Sequence, residues 1–382
     1  MTGPVRAGIV SSHPIQYFSP LYDLIHAQGI VDLTVVYGND AGVRPTWDPG
    51  FAGNHQWDLD LVGGHPHMFL TQGAVPSRSD RLRARVHLRH VIRSWDVAVI
   101  NGYSTALTTT AIGACWMGSV PYLLRSDTSI RAKHPIASPR HWWPRAVSRR
   151  SAGGLAVGRR NAAIHRELGT PSIFSAPFAV DVERFRTAAS RVHAARSGFR
   201  RALALPEDVP VIAFAGKFLD LKRPSDVLAA AARIAAPAHV LMIGDGPLSS
   251  ALRSAATDLP VTFTGFLNQE AMPEALACAD VLVLPSYYEP WGLIVNEAMA
   301  CGCVPVVSDQ VGCGPDLVAG LGEIFPVGDL DALGAAIGRA LVTARSPGTA
   351  DRLADRLRGF TLEACAAGYE EAMLTVSKTS RR

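Results

Sequence analysis

The 382-residue sequence contains no long hydrophobic run. A bilayer-spanning helix needs roughly 20 consecutive apolar residues, and no uncharged apolar stretch approaches that length. The organisation of a signal peptide is missing as well, because the N-terminus enters a predicted strand at Ala7-Gly8-Ile9-Val10 almost at once. Long disordered segments are lacking too. These absences exclude a membrane-embedded or disordered class, and we expect a cytoplasmic globular protein.

Cysteine is scarce. The six cysteines, at positions 115, 278, 301, 303, 313 and 365, are scattered, and four of them lie in segments that read as buried core. This usage is typical of reduced thiols in a cytosolic protein. Cys301-Gly-Cys303 is the closest pair, but no second ligand pair follows it, so a redox or metal site there is disfavoured.

Acidic residues are few in the first half of the chain. Residues 1–185 hold 19 Lys and Arg against 12 Asp and Glu, a net charge of +7, and the remainder holds 18 against 21, a net of −3, which together give +4. No nucleic-acid recognition motif accompanies the excess, so we expect no nucleic-acid partner. The positive charge is compatible with binding of an anionic acceptor, with contact to a membrane surface, or with an ordinary arginine-rich surface.

Apolar residues make up 48% of the chain and charged residues 18%, which is a globular composition. At 382 residues the chain is long enough for two domains. Short apolar runs alternate with helical stretches in two series, as expected for parallel sheets covered on both faces. The first series predicts strands near 5–11, 31–37, 96–101, 120–125, 153–157 and 172–176. The second predicts strands at 209–215, 239–243, 261–264, 281–284, 304–307 and 323–325.

The sequence therefore predicts an α/β protein of two doubly wound domains. We place the first at 1–185 and the second at 186–360, because an irregular stretch begins at Pro177. The last segment, 361–382, contains one more amphipathic helix after the second sheet is complete, so we expect it to pack across the domain boundary. Strand C-termini that face a cleft between two such domains are a natural substrate site.

The stretch 287–297, Tyr-Tyr-Glu-Pro-Trp-Gly-Leu-Ile-Val-Asn-Glu, is the most informative part of the chain. It follows the apolar strand 281–284 and opens into a helix. The first N–H groups of that helix, from Gly292, Leu293 and Ile294, and its positive dipole end favour an anion. Glu289 and Glu297 can accept hydrogen bonds from hydroxyl groups. A ligand that is part phosphate and part polyol, such as a nucleotide sugar, fits this combination.

Basic side chains follow the first strand of the second series. Gly216 lets the chain turn, and Lys217 and Lys222 can reach the same sheet edge from the loop. Two cations beside a helix start would neutralise a diphosphate leaving group. Solvated loop lysines remain the alternative interpretation of this segment.

Two further strand ends carry weaker signals. Gly244-Asp245-Gly246-Pro247 follows the second strand, where glycines permit close approach of a ligand. Phe266 follows the third strand and could offer an aromatic face to a base, or could simply pack.

In order and spacing, these motifs resemble the donor-binding half of the retaining glycosyltransferases of family 4, which have the GT-B fold. The family pattern is G-R/K-x4-K, a G-x-G-P turn, a T/L-G-F/Y strand end, and E-x7-E followed by A-x-G-x-P-V-V. This chain has Gly216-Lys217 with Lys222, then 244–247, Thr264-Gly265-Phe266, Glu289 with Glu297, and Ala300-Cys301-Gly302-Cys303-Val304-Pro305-Val306-Val307.

The resemblance implies a fold, an activity and residue roles. The fold would be two Rossmann-like domains facing across a cleft, with a C-terminal helix that crosses back to the first. Lys217 and Lys222 would bind the diphosphate of a UDP- or GDP-sugar, and Glu297 the ribose. Glu289, with the amides of Gly292 and Leu293, would hold the donor sugar. No metal is needed, because the lysines carry the phosphate charge.

The first domain resembles a bacterial subgroup that begins S-H-P-I-Q-Y, here residues 12–17, with Trp57-Asp58 also fitting. His13 and Gln16 follow the first strand and could contact donor phosphate or acceptor. A structural role for His13 is equally compatible with the sequence.

Other first-domain strand ends supply acceptor-side candidates. Many family members have a histidine at the position of Asp127. This chain lacks that histidine, so which residue takes its role here is open. Asp127 could orient an acceptor hydroxyl, act as a base if buried, or cap a helix. Asn101 and Tyr103 end another strand and are candidates to line the acceptor side.

Two apparent motifs are discounted. Asp58-Leu59-Asp60 has the D-x-D form of a metal site, but we expect it to lie far from the donor domain, in an alternating apolar segment. The cluster of tryptophans and arginines at 140–150 suits an interfacial membrane patch or packing between domains. Peripheral membrane contact therefore stays open.

The residues leave other functions open. An epimerase of the same architecture would convert its nucleotide sugar without an acceptor. A glycoside hydrolase using Glu289 and Glu297 is disfavoured, because such carboxylates normally flank the scissile bond. A non-catalytic nucleotide-sugar-binding protein is the third alternative. The base, the sugar, the acceptor and the oligomeric state are not identified by the sequence.

Overall fold

The computed structural model describes residues 3–51, 53–72, 77–127, 141–234 and 237–380. The chain divides into two compact units. The first unit comprises 1–46, 59–178 and 362–382, and the second comprises 47–58 and 179–361.

Strands and helices alternate through both units. The strands are β1 Val5–Ser11, β2 Val31–Tyr37, β3 Thr46–Asp48, β4 Gly53–His55, β5 His67–Phe69, β6 Val97–Asn101, β7 Tyr122–Arg125, β8 Gly153–Ala156, β9 Ile173–Ser175, β10 Val211–Ala215, β11 His239–Ile243, β12 Val261–Gly265, β13 Val281–Leu284, β14 Val304–Ser308 and β15 Glu323–Phe325. The helices are α1 Ser19–Gln28, α2 Arg78–Ile92, α3 Ala106–Gly118, α4 Trp142–Arg150, α5 Arg159–Leu168, α6 Val182–Ala194, α7 Arg196–Ala202, α8 Pro224–Ala231, α9 Ser249–Ala255, α10 Met272–Ala277, α11 Leu293–Ala300, α12 Leu330–Ala344, α13 Thr349–Leu357 and α14 Leu362–Ser380.

The first unit is built on a seven-stranded sheet in the order β5-β2-β1-β6-β7-β8-β9. Every pairing in it is parallel. The central strands are buried on both faces, with Ile9, Val35 and Val99 fully inaccessible to solvent. Such two-sided burial explains why these strands read as continuous apolar runs rather than alternating ones. The predicted strands are present, and β5 is an edge strand that the sequence did not indicate.

The second unit has a six-stranded parallel sheet in the order β12-β11-β10-β13-β14-β15. All six strands match the second predicted series. The strand order reverses at β10, which pairs with β11 on one side and β13 on the other. In open parallel sheets, ligands bind beyond the carboxyl ends of the strands at such a reversal. The loops after β10 and β13 therefore define the site.

The compact units differ from the predicted domains in two places. Helix α6 buries Phe185 and Val192 and packs on α10 and α11, so the boundary falls at 178 rather than 185. The 47–58 segment belongs to the second unit although its chain neighbours belong to the first.

The C-terminal helix returns to the first unit after the second unit is complete. Helix α14 contacts α1, β8 and β9 there, in agreement with the expected crossing of this helix back to the first domain. A Cβ at Gly368 would overlap the carbonyl oxygen of Ser175. The helix backbone therefore lies directly against β9, and this close approach fixes its position.

Among the described residues, none of the helices combines the length and hydropathy required to cross a bilayer.

Candidate functional site

Lys222 and Glu289 meet at the reversal point of the second sheet. Lys222 ends a 3₁₀ turn after β10, and Glu289 lies in the loop after β13. The two loops are joined by a backbone hydrogen bond, Tyr287 N to Leu221 O at 2.8 Å. The Lys222 ammonium donates to a carboxylate oxygen of Glu289. Their side chains are 23% and 13% exposed, so the ion pair is partly desolvated yet open on one side.

The backbone around Glu289 is held from a third loop. Gly312 N donates to Glu289 O at 2.9 Å, and Cys313 N donates to Trp291 O at 3.0 Å. The indole N–H of Trp291 donates to Asn296 Oδ1 at 3.0 Å inside the helix that follows. Glu289 therefore sits on a segment fixed at both ends rather than on a mobile loop tip.

Helix α11 begins directly after this segment. Gly292 is its N-cap, with φ +95°, and Leu293 and Ile294 open its first turn. The first backbone amides of a helix have no partner within the helix, so they are donors for an anion. Three of the residues predicted to bind the donor thus lie beside Glu289 in one continuous stretch.

Glu297 differs from Glu289 in its surroundings. It lies in the middle of α11 and is 1% exposed. Burial, together with Cys303 and Glu297, raises the pKa of the Cys301 thiol well above its ordinary value. Glu297 is thus buried, and its predicted contact with a ribose stays a prediction.

Lys217 makes an ion pair that the sequence did not indicate. Its ammonium lies 2.7 and 3.0 Å from the carboxylate oxygens of Asp48 and 4.9 Å from the ring centroid of Phe51. Burial disfavours the Asp48 carboxylate, but hydrogen bonds from Lys217 and from the Gly50 amide outweigh it and lower the pKa of Asp48. The two predicted phosphate-binding lysines therefore have different carboxylate partners.

The glycine turn after β11 packs tightly against the loop after β10. Gly216 N donates to Ile243 O at 3.0 Å, and Phe218 N donates to Asp245 O at 2.9 Å. A Cβ at Gly244 would overlap the carbonyl oxygen of Gly216. Only glycine permits this approach, so the G-x-G-P turn positions the loop that carries Lys217.

Phe266, the predicted base-contacting residue, is covered by the 47–58 segment. Its ring lies 4.8 Å from that of Phe51 in an edge-to-face arrangement and 6.1 Å from that of Trp57. Asp58, from the discounted D-x-D motif, accepts hydrogen bonds from Gln269 N and Glu270 N at 3.1 and 3.0 Å. Asp58 thus anchors the segment to the loop after β12.

The other acid of that motif, Asp60, accepts from Val62 N at 3.0 Å. No group of three or more His, Cys, Asp or Glu side chains suited to a metal ion occurs within the described residues.

The acceptor-side candidates lie after β1 and β6, on either side of the reversal point of the first sheet. His13 Nδ1 lies 2.9 Å from Ser12 Oγ, and burial lowers the pKa of His13. Gln16 is half-buried in the same loop. Asn101 Nδ2 donates to the Tyr22 hydroxyl at 2.9 Å.

Tyr103 has a packing role. Its carbonyl accepts from the Trp143 indole at 2.8 Å, and its ring packs against the buried core of the first unit. In the cluster at 140–150, Arg140 lies outside the described residues, Trp143 is half-buried and Trp142 is 67% exposed. Peripheral membrane contact through this surface stays a prediction.

Asp127 is exposed, so the burial on which its role as a base depended is lacking. The buried residue of that strand end is Arg125, which the sequence did not single out. Its guanidinium lies between 4.9 and 5.3 Å from the rings of Phe18, Phe178 and Tyr369 and donates to Ala176 O at 2.9 Å. It therefore joins α1, the chain after β9, and α14.

The cysteines are all free and buried. Burial raises the pKa values of Cys115, to about 12, and of Cys278 and Cys365. Cys303 Sγ donates to Leu276 O at 3.0 Å. Cys301 and Cys303 thus act as core residues.

Comparisons with known proteins show what this chain is similar to. Residues 196–358 match the family described as Glycosyl transferases group 1. Over 197 residues the chain is 32% identical to 2-deoxystreptamine glucosyltransferase of Streptomyces kanamyceticus, covering 49% of each protein. Over 194 residues it is 32% identical to D-inositol 3-phosphate glycosyltransferase of Mycolicibacterium smegmatis, covering 47% of this chain and 44% of that one. The matched part thus spans less than half the length of either relative.

A solved structure extends the likeness to the whole fold. HepE of Anabaena, in complex with UDP and glucose, aligns with a TM-score of 0.68 at 13% identity, covering 97% of this chain and 100% of that one. The predicted GT-B fold is confirmed, with two α/β domains that each contain a parallel sheet. Membership of family 4 and of the S-H-P-I-Q-Y subgroup stays a prediction.

Proposed function

We propose that this protein is a retaining glycosyltransferase that moves a sugar from a UDP- or GDP-sugar to an acceptor hydroxyl. The observation that carries the proposal is the Lys222–Glu289 pair beside the start of α11 at the reversal point of the second sheet. A cation, helix amides and a carboxylate thus lie close together at this sheet edge. Charged phosphate and neutral sugar hydroxyls need these two kinds of partner side by side.

In the proposed reaction Lys222, Lys217 and the α11 amides hold the diphosphate as negative charge develops on it. The departing diphosphate accepts the proton of the attacking hydroxyl on the same face of the sugar, which gives retention. Glu289 fixes the orientation of the donor sugar. Charge stabilisation and positioning of this kind can each contribute several kcal/mol. Because two lysines offset the phosphate charge, we propose that the reaction needs no metal.

Substrate identity rests on the relatives. HepE binds UDP, which supports a UDP-sugar as donor, and a GDP-sugar remains the alternative. The two relatives named above act on 2-deoxystreptamine and D-inositol 3-phosphate by their names. Their names support a small polyol acceptor here, and a glycan acceptor is the alternative. We further propose a cytoplasmic location with peripheral membrane contact, supported by the exposed Trp142 and by exposed Leu82 and Val86 on the arginine-rich helix α2.

Substitution of the ion pair tests the proposal. Lys222→Ala and Glu289→Ala should each lower the rate of sugar transfer at least about tenfold, the loss expected when one charge-stabilising contact is removed. Glu183→Ala and Lys378→Ala serve as matched controls, because both side chains are exposed outside the site. The readout is acceptor-dependent release of UDP or GDP from a panel of nucleotide sugars, with circular dichroism to verify folding.

The same assay separates the alternatives. Near-normal transfer by both variants would remove the mechanism. Conversion of the donor without acceptor would indicate an epimerase, and binding without any turnover would indicate a nucleotide-sugar-binding protein.

A further inference from the structure

Residues 47–58 leave the first unit of the chain and pack on the second. Three loops of the second unit receive them. Asp48 pairs with Lys217 after β10, the carbonyl of Gly50 lies against Gly246 after β11, and Asp58 caps the amides after β12. All three loops follow the carboxyl ends of β10, β11 and β12, which are adjacent strands on one side of the reversal point. The segment thus covers that side of the sheet edge and reaches the candidate site at Lys217.

Asp48 makes the contact with the clearest chemical consequence. Both of its oxygens accept hydrogen bonds from the Lys217 ammonium, at 2.7 and 3.0 Å. The pair is about one-third exposed on each side, so it is accessible to a soluble anion. The hydrogen bonds from Lys217 and the Gly50 amide keep this carboxylate charged at neutral pH, as its lowered pKa indicates.

The proposed function assigns the same ammonium to a diphosphate. A diphosphate near Lys217 places like charges beside Asp48, and like charges a few ångströms apart repel. The ammonium has three donors, two of which Asp48 already uses. The two anions cannot both be bound to Lys217 at full strength.

The far end of the segment is anchored independently of Lys217. Asn268 Nδ2 donates to Gln56 O at 2.7 Å, and Asp58 accepts two backbone amides. Release of Asp48 from Lys217 would therefore leave the segment attached at its other end.

We propose that Asp48 is a positioning residue of the donor site, which holds Lys217 in place and competes with the donor diphosphate for it. This inference rests on the proposed function. It goes further in naming a residue outside the recognised motifs that sets the affinity for the charged part of the donor. Binding of the diphosphate displaces Asp48, whereas a nucleoside without phosphates has no such effect.

The test compares UDP with uridine, and GDP with guanosine, by isothermal titration calorimetry on the full chain. Asp48→Asn should tighten binding of the diphosphate about two- to fivefold, the range for removing a partly exposed ion pair. Nucleoside affinity should stay unchanged, so the ratio of diphosphate affinity to nucleoside affinity rises. Asp48→Glu keeps the negative charge, and this affinity ratio should equal that of the unmodified protein.

Two further variants separate competition from a structural effect. Asp58→Asn makes the same substitution at the anchored end of the segment and should leave the ratio unchanged. In a Lys217→Met background, Asp48→Asn should no longer tighten diphosphate binding, because the group for which Asp48 competes is gone.

The outcomes are distinct. If the diphosphate binds the unmodified protein but Asp48→Asn weakens it or leaves the ratio unaltered, this inference is wrong and the proposed function stands. If neither UDP nor GDP binds the unmodified protein or any variant, both are overturned.

Discussion

Gly246→Ala tests how tightly the turn after β11 packs against the 47–58 segment and the loop after β10. A Cβ at Gly246 would lie 2.8 Å from the carbonyl oxygen of Gly50, 2.8 Å from that of Phe218 and 2.9 Å from Phe218 N. All three are backbone atoms, so no side chain can rotate away to make room. The residue also has φ +153°, which L-residues rarely adopt.

The cost follows from these two features. Backbone strain at an unfavourable φ costs about 1–3 kcal/mol, and overpacking costs about 1–3 kcal/mol. The reduced entropy of the unfolded chain returns about 0.4–1 kcal/mol. We therefore expect the free energy of unfolding to fall by about 1–5 kcal/mol. In a unit of this size, each kcal/mol corresponds to roughly 2–4 °C in the melting temperature.

The assay is urea unfolding followed by far-ultraviolet circular dichroism, with UDP and GDP affinities measured on the folded variant. Gly338→Ala is the matched control, because Gly338 lies inside helix α12 and a Cβ there would meet no atom within 4 Å outside its own helix backbone. That variant should gain about 0.5–1 kcal/mol from helix propensity. A free energy of unfolding for Gly246→Ala within about 0.5 kcal/mol of the unmodified protein would refute the tight packing of this turn against Gly50 and Phe218.

Two other predictions concern groups outside the site. Burial lowers the pKa of His165 to about 4, so the unfolded state binds its proton first as the pH falls from about 6.5 to 4, and stability drops by about 3 kcal/mol across that window. His165→Asn should reduce this loss of stability in acid titrations monitored by circular dichroism. An unchanged dependence of stability on pH in the variant would contradict the prediction. Asp280→Asn should cost about 2–3 kcal/mol in urea unfolding, because Asp280 accepts from the buried Arg200 at 3.0 Å. Glu207→Gln, which breaks an exposed pair, should stay within about 0.5 kcal/mol of the unmodified protein.

Local sequence patterns predicted the sheets and most of the site loops. An apolar run such as 281–284 can be satisfied only inside a sheet covered on both faces, and β13 has those bounds. Glu289 and Lys222 were both placed beyond strand C-termini, and parallel strands bring those ends to one edge. The two side chains meet because β10 and β13 are neighbours in the sheet.

Contacts between distant segments were beyond the reach of these patterns. Asp48 and Lys217 are 169 positions apart, and Asp48 lies in no motif. Arg125 looked like an ordinary strand-end residue, yet it is buried among three rings. Asp127, two positions on, was a catalytic candidate and is exposed. The three rings around Arg125 belong to Phe18, Phe178 and Tyr369, which are far apart in the chain.

The sequence by itself determined the two βα series, the glycine turns and the residues at the strand ends, because periodicity and turn chemistry act between near neighbours in the chain. Only the tertiary structure decided that 47–58 joins the second unit and that Lys217 is held by Asp48. These contacts join segments that are far apart in the chain. They depend on complementary buried surfaces and charges, which local patterns in a single sequence do not reveal.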